Sequence, residues 1–353
     1  MESWFTKKLT NWYKINKRDL PWRHETNPYF IWLSEIILQQ TQVVQGLSYY
    51  TKFITHYPTV KKLANASEDE ILKDWQGLGY YSRARNLQAA AKHILEKHKG
   101  IFPDKYEDIR ALKGIGDYTA AAIASFAYNL PYAVVDGNVY RVLSRLFGIE
   151  TPIDSGDGKK QFQKLANELL DKKNPAIHNQ AIMEFGSQYC KPVNPSCENC
   201  IFNKKCFAFA NNVVSQLPLK EKKTKIKNRY FNYLILIDKN KNIVLNKRSE
   251  NDIWKGLYEF YLLETDKEIS ESELKTQKLI KSELPTNFSI LYVSKQYKHI
   301  LSHQHLYAKF YIIKLLNSHS KKVITSSIKS LTNYAFPRLI DKFLNDCNEE
   351  LFS

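Results

Sequence analysis

The sequence predicts a multidomain chain, all-α first and α+β second, and three observations carry that prediction. The spacing of apolar residues changes from helical to strand-like beyond the middle of the chain, a lysine-rich stretch around Pro218 marks the change, and four of the five cysteines lie just before it. From Met1 to about Asn212, apolar residues recur at three and four, alanine is frequent, and Gly, Pro and Asn breaks separate segments of helical length. Asn27 before Pro28 reads as the N-cap and first-turn proline of a helix through Leu38, and Asn86–Lys97 reads as an amphipathic helix ended near Gly100. Residues 213–228 hold Pro218 and Lys220, Lys222, Lys223, Lys225 and Lys227 with few core candidates, so they read as a linker. Strands are predicted at Tyr230–Ile237, at Ile243–Lys247 after a turn over Asp238–Asn242, at Ile290–Val293 and at His305–Leu315. The expected organisation is a helical domain over 1–212, the linker, and an α+β domain over 229–353, with no internal repeat or low-complexity tract.

Composition narrows the partners. The 353 residues are 43% hydrophobic, enough to bury a core in each domain. No apolar run approaches the ~20 residues that span a bilayer, and the mean hydropathy is −0.45, so neither export nor membrane insertion is expected. The formal net charge is +16, spread along the chain, which makes a polyanion the natural partner. A lysine-rich surface without a ligand is the rival account of that charge. Most of the 22 tyrosines and 6 tryptophans belong to cores, with the remainder available for stacking on nucleobases.

The cysteines are the sharpest local signal. Cys190, Cys197, Cys200 and Cys206 lie in one stretch with the spacing C-x6-C-x2-C-x5-C. With no secretory context, metal is preferred over disulfides. Zinc usually takes two C-x2-C pairs, and only Cys197 with Cys200 makes one. The long, uneven outer gaps suit a [4Fe-4S] cluster with four thiolate ligands, one per chain, with zinc as the alternative.

Five further segments carry candidate chemistry. Leu112–Ala120 places Gly114 and Gly116 between two helices, a tight turn whose exposed N–H groups suit a phosphate; the same pattern also serves plain helix packing. Glu35 shares a helical stripe with Ile31 and Leu38, where desolvation would raise its pKa toward that of a general acid; a carboxylate at the edge of a mis-phased stripe is the plain alternative. Asp136, directly before a helix running to about Phe147, reads first as an N-cap, and alternatively as the ionised partner that stabilises a cation developing on a sugar. The segments Gln39–Gln42 and Gly77–Arg85 present Gln40, Thr41 and Tyr80 as candidate wedges beside an extruded base, with Tyr80 and Tyr81 alternatively core aromatics.

Taken together, the glycine hairpin, Asp136 a short helix beyond it and the cysteine spacing resemble the helix-hairpin-helix DNA glycosylase superfamily with its iron–sulfur loop, here residues 190–206. The endonuclease III branch attacks the sugar with a lysine two residues after the second hairpin glycine; this chain has Tyr118 there. Pro21-Trp22-Arg23, the run from Pro28 to Val43, Gly77-Leu78-Gly79-Tyr80-Tyr81 and Asn179–Glu184 resemble instead the adenine DNA glycosylases of the MutY family.

The resemblance implies a monofunctional hydrolase of base excision repair that flips out adenine mispaired with 8-oxoguanine or guanine in double-stranded DNA. It implies that Glu35 protonates adenine N7 and that Asp136 stabilises the oxocarbenium ion. Tyr118 and Asn138 then line the pocket, and Arg23 and Glu184 support adenine or Glu35. Gln40, Thr41 and Tyr80 sit beside the orphaned 8-oxoguanine, and the cluster is structural. A monomer is expected, in the cytoplasm, with nucleoid association if the source is bacterial. Competing readings are a bifunctional pyrimidine-lesion glycosylase/lyase of the endonuclease III type and a non-catalytic DNA-damage binding protein.

The second domain resembles the family's nudix-like 8-oxoguanine-recognition domain through Asn246-Lys247-Arg248 and Trp254–Phe260. The acidic nudix helix is absent, so no pyrophosphate hydrolysis is expected. The family reads 8-oxoguanine with a Phe-Ser-His loop; here His299–His303 keeps Ser302 and puts Leu301 at the aromatic position. Lys113 stands where the hairpin usually has proline, which is expected to loosen the turn. Cys347 has no assigned role.

Overall fold

Helix-compatible sequence gives way to strand-compatible sequence as expected. A computed structural model of the chain describes residues 4–221, 225–249, 251–277, 288–315 and 324–347. The packing of the backbone divides it into two units, residues 1–65 with 86–223, and residues 66–85 with 224–353. Helical periodicity gives no sign that residues 66–85 pack with the second unit.

The first unit is helical. Its helices are α1 (Trp4–Asn16), α2 (Pro28–Leu38), α3 (Val43–His56) and α4 (Val60–Asn65); α5 (Glu68–Asp74) belongs to the second unit, and α6 (Ser82–Lys97) spans the division. Then follow α7 (Tyr106–Ala111), α8 (Asp117–Tyr128), α9 (Gly137–Phe147), α10 (Gly156–Leu169), α11 (Pro175–Gln188) and the short α12 (Phe207–Ala210). Asn27 caps α2, its side chain accepting from Tyr29 N at 3.0 Å, with Pro28 pre-set for the first turn. α6 starts four residues before the expected Asn86, because Arg83 and Ala84 are buried turns of the same helix rather than a polar lead-in.

Small residues let the site helices approach. Thr119 to Ser125 of α8 are all buried, and α2 and α11 both pack against this alanine face. The core behind them joins Phe5, Leu9 and Trp12 of α1 to Phe162, Phe185 and Phe202. Asn179 of α11, 1% exposed, ties the irregular segment before α9: it accepts from Val134 N at 3.2 Å and donates to Tyr132 O at 2.8 Å and Ser125 Oγ at 2.9 Å.

The second unit is built on a mixed sheet. Its strands are β1 (Lys227–Ile237), β2 (Asn242–Lys247), β3 (Tyr258–Glu259), β4 (Tyr261–Thr265), β5 (Phe288–Val293), β6 (Tyr297–Ile300), β7 (Gln304–Leu315) and β8 (Ile324–Ser327), with helices α13 (Glu271–Thr276) and α14 (Arg338–Asp346). The order is β3-β2-β1-β7-β5, with β4 on β1, β6 on β7 and β8 on β2. β1 runs parallel to β7 from Lys227 opposite Gln304 to Ile237 opposite Lys314. The strand therefore begins inside the expected linker, where its first residues gain ladder hydrogen bonds; Lys222 and Lys223 lie outside the described residues. β1 is buried on both faces. Phe231, Tyr233, Ile235 and Ile237 join the core under α14, and Leu234 and Leu236 join the core on the opposite face. The four strands not expected from sequence, β3, β4, β6 and β8, are two to five residues long, too short for a period to register.

Replacement of Asn179 by alanine should leave Val134 N–H and Tyr132 C=O unpaired in the interior and cost about 3 kcal/mol, on the order of two buried unsatisfied groups. Chemical denaturation of the full chain measures it.

Candidate active site

Glu35 sits where a helix cannot solvate it. α2 is buried on nearly every face, from Tyr29 and Ile31 through Ile37, so the expected single apolar stripe is too narrow an account: Glu35 is interior, not at a stripe edge. Its Oε2 accepts from the Tyr118 hydroxyl at 2.8 Å. Desolvation pushes the carboxyl up to about 7, the Tyr118 hydrogen bond pulls against that shift, and the charge of Asp136 adds to it. Burial likewise keeps Tyr118 a neutral hydroxyl, which also lies 3.5 Å from Met183 Sδ on α11.

Asp136 lies near enough for its charge to act on Glu35 and Tyr118, in a different electrostatic setting. Its Oδ1 caps α9, accepting from Asn138 N at 3.0 Å and Val139 N at 2.8 Å, and its Oδ2 accepts from Asn138 Nδ2 at 2.8 Å. Burial raises its pKa, while these donors and the nearby Arg141 favour the carboxylate. The helix-cap reading of Asp136 is met by Oδ1, and Oδ2 is held by the Asn138 side chain. The positive end of α9 faces it as well.

A buried arginine, unremarked in the sequence, ties this corner to the cysteine loop. Arg141 donates to Asn138 Oδ1 at 2.8 Å, to Gly186 O at 2.7 Å and to Cys190 O at 2.7 Å. One helical turn later, Arg145 donates to Lys191 O at 2.7 Å, to Leu217 O at 3.0 Å and to Cys190 Sγ at 3.6 Å. Residues 189–202 form almost no regular structure, so their carbonyls need such donors.

Cys190, Cys197, Cys200 and Cys206 line one small cavity and are all free thiols, with no disulfide among them. Among the described residues no three His, Cys, Asp or Glu side chains are gathered closely enough for a single metal ion. A multi-iron cluster needs its thiolates set further apart, around a shared space. The donor set fits such a group: Phe202 N donates to Cys200 Sγ at 3.4 Å and Arg145 reaches Cys190 Sγ, the kind of N–H···S contact that stabilises thiolate ligands. Burial pushes the Cys200 thiol up to about 11 and raises Cys197 and Cys206.

The remaining expected residues divide between the units. At the hairpin, Gly114 has φ 81°, and a Cβ there would lie 2.7 Å from the Asn86 side chain, so glycine is required; Gly116 is extended and caps α8 with open space around it. Lys113 does not leave the turn loose, because Arg110 donates to Ile115 O at 3.0 Å and pairs with Asp117 at 2.5 Å across it. Glu184 is buried and hydrogen-bonded to Arg23, Gln188 and the unanticipated Arg18, whose cations hold its carboxyl down at about 2 against the cost of burial. Gln40, with φ 54°, and Thr41 form the turn between α2 and α3, and Gln39 ties that turn to Thr119 at 3.2 Å.

Tyr80 and Ser302 lie in the second unit, on one cavity of about 360 Å³. Tyr80 is 49% exposed, and Tyr81 is core, its hydroxyl accepting from Gly77 N. Gly77, Gly79 and Tyr80 all have positive φ, 98°, 74° and 46°, a run that presents the Tyr80 ring at the surface.

The profile of the HhH-GPD superfamily base excision DNA repair proteins matches residues 33–172, and the NUDIX domain profile matches residues 232–346. An adenine DNA glycosylase of Buchnera aphidicola subsp. Acyrthosiphon pisum is 33% identical over 351 residues, 99% of each chain. The chain belongs to the adenine DNA glycosylase family. The Homo sapiens member is 42% identical over 213 residues, covering 58% of this chain and 39% of its own. A thermostable thymine-DNA glycosylase structure is similar at 30% identity and TM-score 0.55, covering 59% of this chain and 95% of that one. Endonuclease III in a non-covalent DNA complex shares the fold at 21% identity and TM-score 0.53 with the same coverage.

Glu35 makes stability depend on pH. Its folded value of about 7 lies above the ordinary 4.5, so the fold holds that proton more tightly than the unfolded chain does, and stability falls as pH rises through that window. Glu35→Gln, neutral at every pH, should be more stable than wild type at pH 8 by up to about 3 kcal/mol and near wild type at pH 4. Paired thermal unfolding curves at the two pH values check this.

Proposed function

We propose that this chain binds double-stranded DNA as a monomer and hydrolyses adenine from it where adenine lies opposite 8-oxoguanine or guanine, using Glu35 as general acid and Asp136 as the stabilising anion. The observation that carries the reading is the contrast within one pocket: Glu35 keeps its proton near neutrality with a single hydroxyl partner, while three N–H donors hold Asp136 as an anion. Family membership supports the adenine substrate.

The chemistry follows from those two states. Glu35 gives its proton to N7 of the extruded adenine, so the C1′–N9 electron pair leaves with a neutral base rather than an anion. Positive charge develops on C1′ and the ring oxygen, and Asp136 faces it without needing to reorganise, because α9 already holds its oxygens. Water adds to C1′, and its proton passes to the Glu35 carboxylate, restoring the acid. Tyr118 orients Glu35 through its hydroxyl and carries no amine to form a Schiff base, which favours the monofunctional reaction. Cys190, Cys197, Cys200 and Cys206 would hold a [4Fe-4S] cluster, which would supply a structural staple for residues 190–206. Arg141 passes that anchorage to Asn138 and so to Asp136. In the second unit Ser302, beside His303 at 3.2 Å, offers a hydroxyl to the N7–H and O8 edge that distinguishes 8-oxoguanine from guanine.

Single-turnover excision from an 8-oxoguanine:adenine duplex tests the reading. Glu35→Gln should lower the rate by 10²-fold or more, as loss of a general acid does, while binding persists; unchanged excision by that variant refutes the assignment. Because the acid form is the active one, the wild-type rate should fall as pH rises through about 7. Ser302→Ala should narrow the rate difference between adenine opposite 8-oxoguanine and adenine opposite guanine, with little change in the guanine rate.

A further inference from the structure

The cavity of about 360 Å³ in the second unit holds a tryptophan that the excision chemistry does not use. Trp254 lines it with Leu301, Ser302, His299, Arg338 and Tyr80. Its backbone is left-handed, with φ 64°, a conformation that bulky side chains rarely adopt. Glycine would sit there without strain, yet a half-buried tryptophan stands there, packed against the core on one side and lining the cavity on the other.

A buried charge network holds the strained turn. Arg229 pairs with Asp252 at 2.8 Å and Glu264 at 2.6 Å, and Arg248 pairs with Asp252 at 3.0 Å and Glu259 at 2.5 Å. Arg248 also donates through Nε to Ile253 O at 3.0 Å, its backbone N donates to Leu257 O at 2.9 Å, and its carbonyl accepts from Gly256 N at 2.8 Å. Both sides of Trp254 are thus clamped from one arginine. His299 packs edge-on to the indole with ring centroids 5.8 Å apart, and Phe231 packs from the core at 6.2 Å. The walls combine an aromatic ring, an aliphatic side chain, a hydroxyl, an imidazole and a guanidinium. That set suits a flat heterocycle with hydrogen-bonding edges, and the volume falls within the range of small-ligand sites.

We infer that Trp254 is a specificity-determining residue whose indole face packs on the purine opposite adenine, supplying the aromatic surface that Leu301 does not. The inference rests on the proposed function and names the surface that holds the purine against Ser302. The Arg229–Asp252–Arg248 network is the positioning device for that ring.

Equilibrium binding of the full chain to uncleavable duplexes tests it, with 2′-fluoro-2′-deoxyadenosine opposite either 8-oxoguanine or an abasic tetrahydrofuran. Trp254→Ala should weaken binding to the 8-oxoguanine duplex about tenfold, the order of one base–aromatic contact, and leave the abasic duplex within twofold of wild type. Trp254→Phe should stay within about threefold of wild type on both. Trp254→Gly, which suits the left-handed backbone, should repeat the alanine result, and it carries the test if alanine impairs folding. Equal weakening on both duplexes, no weakening on 8-oxoguanine, or a phenylalanine variant as weak as alanine overturns the inference. Adenine release by wild type from a cleavable 8-oxoguanine duplex, run in parallel, separates failure of the activity from failure of this assignment.

Discussion

Keeping one carboxyl dry beside another that is well solvated by protein donors is the constraint on which the first unit is built. Two carboxylates in one pocket repel, and the least costly arrangement gives a proton to whichever has fewer donors. Here that is Glu35, because α2 is enclosed on nearly all faces and Tyr118 is the partner its side chain has. Asp136 sits at a helix start, where backbone N–H groups point outward and would otherwise be unpaired. The protonation states are thus properties of two helices, one closed around its residue and one opening onto it.

The helix starts must then stay where they are, and the arginines of α9 do that work from the rear. Arg141 reaches forward to Asn138 and back to Gly186 and Cys190 in a single planar fork, which a lysine has no geometry to reproduce. Arg145 closes the same loop at Lys191, Leu217 and the Cys190 sulfur. A cysteine loop with little regular structure is therefore held in place by these two forks. Movement of Cys190 would be felt at Asn138 through one residue.

The parts legible in the sequence were those whose physics is local. The Asn27–Pro28 helix start, the glycine turn at Gly114 and the Asp136 cap depend on a few neighbouring residues, and each forms as expected. Glu35 was legible as a carboxylate among apolar residues, though its enclosure on every side depends on α8 and α3, which no local pattern reports. Arg18, Arg141 and Arg145 were not legible at all. In a chain of net charge +16 a further arginine reads as surface, and the carbonyls that bury these three come from segments more than 40 residues away or from a distant carboxylate. Lys113 misled for a related reason: the turn lost a proline and gained Arg110, a residue whose contact with Ile115 depends on the folded hairpin.

Residues 66–85 show how a site can be assembled against the grain of sequence order. Tyr80 lies within the helical first part of the chain, yet it shares a cavity with Ser302 and Trp254 because α5 and the turn after it are anchored to the rest of the second unit by Lys73 to Tyr334 O at 2.9 Å, Gln76 to Asp341 at 2.9 Å and Asp69 to Lys247 at 2.6 Å. Three left-handed residues at 77, 79 and 80 and a fourth at Trp254 then face the same space. Left-handed backbone at Tyr80 and Trp254, on two sides of one cavity and each side fixed by ionic or hydrogen-bonded anchors, gives the proposed purine surface walls that keep their shape before a ligand arrives.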